Sequence, residues 1–287
     1  MKNYLLLILL ALVLFAFKND KNAYQLFDSK GNEIHYAKLL ERASDADIIL
    51  FGELHDNPID HWLEQELTKD LHATKKENLI LSAEMFEADD QITVDEYLSG
   101  AVSEKTLKDE AKLWTNFPTD YKPLLDFAKK NKLRFVAANI PRRYASMVYT
   151  KGLEKLDSIN GDAKKWIAPL PVKYDSTLTC YKDIFTQAKG HGGQNLPKSQ
   201  AVKDATMAYF ILKNYTAGKT LIHFNGSYHS DHHQGIEWYL RSSNPSLKIF
   251  TIGSTEQEKT DDLEKENLGL ADCIICTPTS MSKSYRP

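Results

Sequence analysis

The sequence predicts an α/β domain in which a mainly parallel β-sheet is flanked by helices on both faces and carries a helical and irregular insert. Three observations lead there. Short runs of wholly apolar residues, such as Ile48-Ile49-Leu50-Phe51, have the character of strands buried on both faces. Segments with helical apolar spacing follow them, so strand and helix alternate along the chain, as in a parallel sheet covered on both sides. Two of the strands leave through the same turn, Gly52-Glu53-Leu54-His55 and Gly226-Ser227-Tyr228-His229. A glycine there lets the backbone turn sharply, and the histidine is lifted to the C-terminal edge of the sheet, where α/β folds bind ligands.

In chain order, residues 24–47 read as an entry hairpin and a short helix, with Ser29-Lys30-Gly31-Asn32 as the turn. Residues 48–51 are the first strand of the main sheet. Asp56-Asn57-Pro58 starts a helix with an Asx cap and a first-turn proline, and Ile59, Leu63, Leu67 and Leu71 form its core stripe at i+4 spacing. His61 falls on the far side of that wheel and is expected to face solvent. Residues 78–86 are the second strand, ending in Glu84-Met85-Phe86; a carboxylate there is out of pattern, since burying it unpaired is costly. Residues 88–120 are acidic and helix-like, 121–132 a helix and 133–140 the third strand. Pro141-Arg142-Arg143 opens a helix to about residue 156, with Asn139 as its cap, and the two arginines beside a helix start make an anion site or extend into solvent.

Residues 157–198 are the least regular stretch, with Pro169, Pro171, Pro197 and Gly190-His191-Gly192-Gly193, and 178–189 within them read as a short helix carrying Tyr181 and Phe185. An insert of this kind in an α/β domain is expected to form a ligand wall. A helix over 199–215, capped by Ser199, precedes the fourth strand, 220–224. Residues 248–253 and 273–277 supply two last strands, with a polar, acidic surface segment over 255–267.

Two ends of the chain's chemistry bound its function. Net charge is −3, with both signs interspersed and no basic stripe, so nucleic acid is not an expected partner. Residues 1–20 hold Lys2 and an apolar run from Tyr4 to Phe17, shorter than the roughly 20 residues of a comfortable span. They read as a signal peptide or an N-terminal anchor, which makes the protein exported and leaves residues 21–287 as one domain. No cysteine follows the run to take a lipid. Cys273 and Cys276 lie three apart in a strand and so point to opposite faces. That geometry suits buried structural cysteines better than a shared metal or a disulfide.

With parallel strands, His55, Glu84, Arg142 and His229 gather at one edge. Two imidazoles and a carboxylate, His55, His229 and Glu84, are the donor set of a catalytic-type metal site with an open position. Glu53 would be a further ligand or a general base.

Several runs, in order, carry a resemblance to a known family. They are Gly52-Glu53-Leu54-His55-Asp56-Asn57-Pro58, Glu84-Met85, Trp114, Tyr121-Lys122-Pro123-Leu124-Leu125, Ala138-Asn139-Ile140-Pro141-Arg142-Arg143, Asp204-Ala205-Thr206-Met207-Ala208 and Gly226-Ser227-Tyr228-His229. Over residues 45–255 the chain resembles the ChaN-like, iron-regulated haem-binding uptake proteins, within the broader group of erythromycin esterase-like, TraB and Tiki proteins. The chain departs from many of these relatives in lacking a lipid-anchor cysteine and in carrying His223, His232 and His233 around the second motif.

The resemblance implies two functions. One is non-covalent haem binding in a periplasmic or membrane-associated iron-acquisition route. It would involve a homodimer and outer-membrane or surface iron-uptake components. Haem needs an apolar slot, an axial ligand and cations for its propionates, for which Tyr174, Tyr181, His191, Lys173 and Arg142 are the candidates. The other is hydrolysis of an ester or amide by a divalent metal such as zinc or manganese on His55, Glu84 and His229, with Glu53 as base.

Overall fold

The computed structural model describes residues 21–187 and 193–285; residues 1–20, with the expected signal peptide or anchor, and His191 lie outside the described residues. Eight strands form one sheet: β1 (Gln25–Asp28), β2 (Glu33–Ile34), β3 (Ile48–Glu53), β4 (Leu79–Glu87), β5 (Arg134–Asn139), β6 (Thr220–Gly226), β7 (Ile249–Gln257) and β8 (Cys273–Pro278). Their order is β2-β1-β8-β7-β3-β6-β4-β5. From β8 to β5 every pairing is parallel, and the β1–β2 hairpin adds antiparallel to β8. The expected α/β architecture is the observed one.

Helices α1 (Tyr36–Ser44), α2 (Pro58–Lys75), α3 (Gln91–Ser99), α4 (Glu104–Glu110) and α5 (Lys122–Asn131) bury their apolar stripes on one face, against Ile49, Phe51, Leu81, Phe135, Ile222 and Phe224. The other face, with Ile48, Leu50, Ile80, Val136 and Leu221, is covered by α8 (Leu196–Asn214) and α9 (Ile236–Ser243). Helix α6 (Arg142–Lys151) packs beside α8 through Ala145, Val148 and Val202, and α7 (Thr179–Gln187) also lies against α8. Alternate residues of each strand thus serve opposite cores, which is why the central strands read as unbroken apolar runs. Cys273 and Cys276 are buried on opposite faces of β8, in separate clusters, and both are free thiols.

Four local expectations need correction. Asn57 caps α2, accepting from the Ile59 amide at 3.0 Å, but Asn139 does not cap α6, whose cap residue is Pro141. Helix α8 begins three residues earlier than expected, so Ser199 lies within its first turns, where its hydroxyl donates to the Ala145 carbonyl at 2.9 Å. His61 is buried rather than solvent-facing. Helix α2 packs against α5 as well as the sheet, so its buried face is wide enough to enclose Asp60, His61, Glu64 and Thr68 beside the leucine stripe. The helix from Pro141 also ends early, at Lys151, with a 3-10 segment over Leu153–Ser158.

Two features of topology place the site. Strands β3 and β6 are parallel neighbours in a register that sets Gly52 opposite Asn225 and Glu53 opposite Gly226. Strand β4 lies on the far side of β6, with Ala83 opposite Phe224. The two Gly-x-x-His turns and Glu84 therefore leave the sheet side by side.

Candidate functional site

A cavity of about 870 Å³ opens at this edge. Its lining comes from both histidine turns, from Glu84 and Glu87 on β4, from the loop 113–116, from Asn139, Ile140, Arg142 and Ala145 around the start of α6, and from Gln200 and Lys203 on α8. Leu54, Leu113, Trp114, Ile140, Ala145 and Tyr228 make much of the wall apolar, and Arg142 and Lys203 supply positive charge. No residue of 157–198 among those described lines it; the wall on that side is α8 and the loop 113–116.

His55 sits on the cavity surface, its side chain 37 % exposed. Its Nδ1 donates to Glu53 Oε1 at 2.6 Å and its ring meets Trp114 edge-on at 4.8 Å. Glu53 Oε1 also accepts from the Tyr121 hydroxyl at 2.8 Å. Burial alone would raise the Glu53 carboxyl, but its hydrogen bond to His55 and the close His61 imidazole hold it well below the usual carboxylate range. Burial would lower His55, but Glu53 and the charge of Glu84 raise it. A carboxylate so stabilised as its anion is a weak proton acceptor, which counts against Glu53 as a general base.

His229 is enclosed, its side chain 5 % exposed. Its Nδ1 donates to Asp204 on α8 and its Nε2 to Glu84 Oε1 at 3.1 Å. Glu84 Oε2 accepts from the Gly226 amide at 2.8 Å, and the Tyr181 hydroxyl donates to the other Asp204 oxygen at 2.8 Å. Burial would lower the His229 imidazole, but the charges of Glu84 and Asp204 push it up to about 9. Burial likewise would raise Glu84, and the charge of His229 with its hydrogen bond, then His55 and Lys203, bring it far below its ordinary value. At neutral pH His229 is thus an imidazolium donating from both nitrogens, and it takes a metal only by giving up the Nε2 proton.

The structure brings His55, Glu84, His229, Glu53 and Arg142 to one cavity. Arg142 is 63 % exposed and donates to Glu87 at 2.5 Å. It does not bring the donor atoms of His55, Glu84 and His229 to one point: among the described residues, the group whose ligand atoms all lie within 4.8 Å of one another is Glu53, His61 and Glu64. Nor do Tyr174 and Tyr181 reach the cavity. Their rings pack together at 5.6 Å, and Tyr181 is buried with its hydroxyl committed to Asp204. Burial, then the Asp204 charge, push that phenol far above its ordinary value.

Residue-by-residue reading left Gln200, Lys203, Asn116 and Tyr285 unmarked, because each reaches the cavity from a helix or loop with no local signature of its own. Trp114 and Asp204 stood within the runs that carry the family resemblance. Both glycines of the paired motif work by close approach rather than by a left-handed turn. A Cβ on Gly226 would lie 2.5 Å from His55 Nε2, and one on Gly52 would lie 2.9 Å from Ser230 Oγ and 3.1 Å from Ser227 Cα. Each turn's glycine makes room for the other turn.

The profile of the family described as haem-binding uptake, Tiki superfamily, ChaN matches residues 39–240. Among solved structures, the fold is similar to ChaN of Campylobacter jejuni, described with cofacial haem binding, at 18% identity, a TM-score of 0.66, and coverage of 88% of this chain and 96% of that one. It is also similar to a mutant erythromycin esterase in its open conformation (12% identity, TM-score 0.53, 92% and 99% covered). A succinoglycan biosynthesis protein follows at 10% identity, with a TM-score of 0.52 and 86% and 92% covered. At these identities the likeness is one of fold. The sequence has no significant match among curated proteins.

Proposed function

The chain belongs to the haem-binding uptake family of the Tiki superfamily that includes ChaN, and from that premise we propose that it binds haem non-covalently in the cavity at the C-terminal edge of the sheet. The observation that carries this reading is the make-up of the wall. Leu113, Trp114, Ile140 and Ala145 offer apolar surface for a macrocycle, while Arg142 and Lys203 offer charge for propionates. At about 870 Å³ the cavity lies toward the upper end of the roughly 300–1,000 Å³ usual for ligand sites. Among the side chains exposed on the wall, His55 and Tyr228 (57 % exposed) would be the ones to hold the iron. Bound haem would supply the iron and its ligand chemistry; the chain supplies the slot and the cations. We further propose that residues 1–20 direct export to a periplasmic or membrane-associated position in iron uptake, that the chain works there as a homodimer and that it meets outer-membrane or surface uptake components.

A haemin titration of the full chain, followed by absorbance, tests the binding. The expected result is a saturable, shifted Soret band at stoichiometric haem, weakened in Trp114→Ala and Arg142→Ala and unchanged in Tyr181→Phe. A wild-type spectrum that never saturates overturns the assignment.

One observation favours a second reading, hydrolysis. Asp204, His229 and Glu84 form a continuous carboxylate–imidazole–carboxylate chain at the cavity wall, of the type that moves protons in acid–base catalysis. A divalent metal on His55, Glu84 and His229 would require these side chains to shift, because their donor atoms do not meet at one point, and His229 to give up its Nε2 proton; it would then supply an activated water. Ester and peptide turnover by the zinc- or manganese-loaded chain, lost in both His55→Ala and His229→Ala, is the result this reading requires.

A further inference from the structure

Behind the cavity, α2 and β3 meet a π-helical turn, Phe117–Tyr121, and enclose a second group of side chains of which Glu53 alone reaches the cavity. Glu53, His61 and Glu64 are all buried, and one ligand atom of each lies within 4.8 Å of the other two. We propose that Glu53, His61 and Glu64 hold a divalent transition-metal ion of the zinc or manganese class, as a structural centre under the cavity floor.

The orientation of His61 is the first argument. Its Nε2 lies 3.1 Å from the His55 carbonyl oxygen, an acceptor only, so the hydrogen is on Nε2. A backbone carbonyl bonded to one ring nitrogen is the arrangement that frees the other for a metal. That other nitrogen, Nδ1, faces Glu53 Oε2 at 3.0 Å and Glu64 Oε2 at 3.4 Å. Ligands about 2.1 Å from a common ion are separated by about 3.0 Å at right angles and about 3.4 Å in a tetrahedron. The observed spacings match these edges.

Unpartnered oxygens are the second argument. Glu53 Oε2, despite its 3.0 Å approach to Nδ1, makes no hydrogen bond of acceptable geometry, and Glu64 Oε1 has no hydrogen-bond partner. Both are fully enclosed, where an unsatisfied carboxylate oxygen costs most. Two atoms that approach closely without the angle for a hydrogen bond are placed as two ligands of one cation are.

Charge balance is the third. Two carboxylates and a neutral imidazole carry −2, which one divalent ion cancels. A proton on Nδ1 cancels only half. The ion would have an entry route, because Glu53 also lines the cavity. It would also have a consequence there. Glu53 Oε1 receives the His55 Nδ1 hydrogen, so a metal-anchored Glu53 fixes the tautomer and aim of the cavity-facing histidine. The site stands whether or not the cavity takes haem.

Metal analysis of the full chain after gel filtration tests it. About one zinc or manganese per chain is expected, lost in Glu64→Gln and retained in His229→Ala. Glutamine has nearly the shape of glutamate, so this variant keeps the packing while removing the charge and one ligand oxygen. Chelator-stripped wild type should gain thermal stability on titration with zinc or manganese to about one equivalent, and Glu64→Gln should gain none. Two results would overturn the proposal: a wild type that neither carries nor responds to either ion, and an ion kept by Glu64→Gln but lost in His229→Ala, which belongs to the cavity histidines instead.

Discussion

The two Gly-x-x-His turns have the same local sequence pattern and leave neighbouring parallel strands, yet they end as opposites. His55 is an accessible ring on the cavity surface, tied at Nδ1 and turned toward Trp114. His229 is an enclosed cation held at both nitrogens by Asp204 and Glu84. The motif does not set this difference; what packs over each turn does. After the first turn the chain runs directly into α2, capped by Asn57, and the ring is left at the rim. The second turn lies under α8, which brings Gln200, Lys203 and Asp204 over the ring. One turn presents a ligand-facing imidazole, and the other ties α8 to the sheet through charge.

Removing each imidazole is the strongest way to break that comparison. His229→Ala leaves Glu84 and Asp204 buried without their cation, a loss of about 3–5 kcal/mol. His55→Ala exposes a small surface and leaves Glu53 bonded to Tyr121, so its cost is about 1 kcal/mol. Urea unfolding at pH 7 measures both, and equal losses would mean that the two histidines play the same part. The glycines sharpen the contrast at a smaller scale. A methyl on Gly52 meets the Ile252 carbonyl oxygen and Ser227 Cα, both at 3.1 Å and both backbone, and costs about 2 kcal/mol. A methyl on Gly226 meets the His55 ring, which can rotate away, so Gly226→Ala costs about 1 kcal/mol but weakens haem binding more than Gly52→Ala does. The reverse order in haemin titrations would remove His55 from the binding surface.

Much of the frame was legible because it depends on short-range rules. The apolar runs of β3 and β6, buried on both faces, and the Asn57–Pro58 start of α2 are read from adjacent residues. The common edge of His55, Glu84 and His229 follows from parallel strands alone. What escaped depends on the third dimension. The wheel of α2 identifies one apolar stripe, and nothing local shows that α5 and the turn before it cover the polar side as well, which is what buries His61. Tyr181 reads as a ligand from its setting in an irregular segment, but the fold turns it inward to Asp204. Gln200 and Lys203 come from α8 and precede the second motif by some 25 residues. Their place over the cavity is decided by how α8 crosses the sheet, which one sequence does not state.

The smallest effect at neutral pH concerns the strands that feed the two turns. Leu50 and His223 are register partners on β3 and β6, so the second strand carries a histidine where the first carries a leucine. His223 is fully buried, with Nδ1 2.9 Å from Ser82 Oγ and no partner for Nε2. Burial pushes its imidazole down to about 3. The folded pKa therefore lies below the unfolded one, near 6.5, and the folded chain binds fewer protons throughout the interval between them. Stability linked to His223 is fully present above about pH 6.5 and falls as pH drops toward 3, by roughly 1.4 kcal/mol per unit inside the window. His223→Asn keeps a polar group beside Ser82 and removes the titration. Wild type and variant should follow parallel stability curves above pH 7 and diverge below 6.5, the wild type losing more with each step toward acid. Curves that stay parallel down to pH 5 would mean that His223 gains its proton in the folded chain, and that β6 tolerates charge in its core as β3, with Leu50 there, never has to.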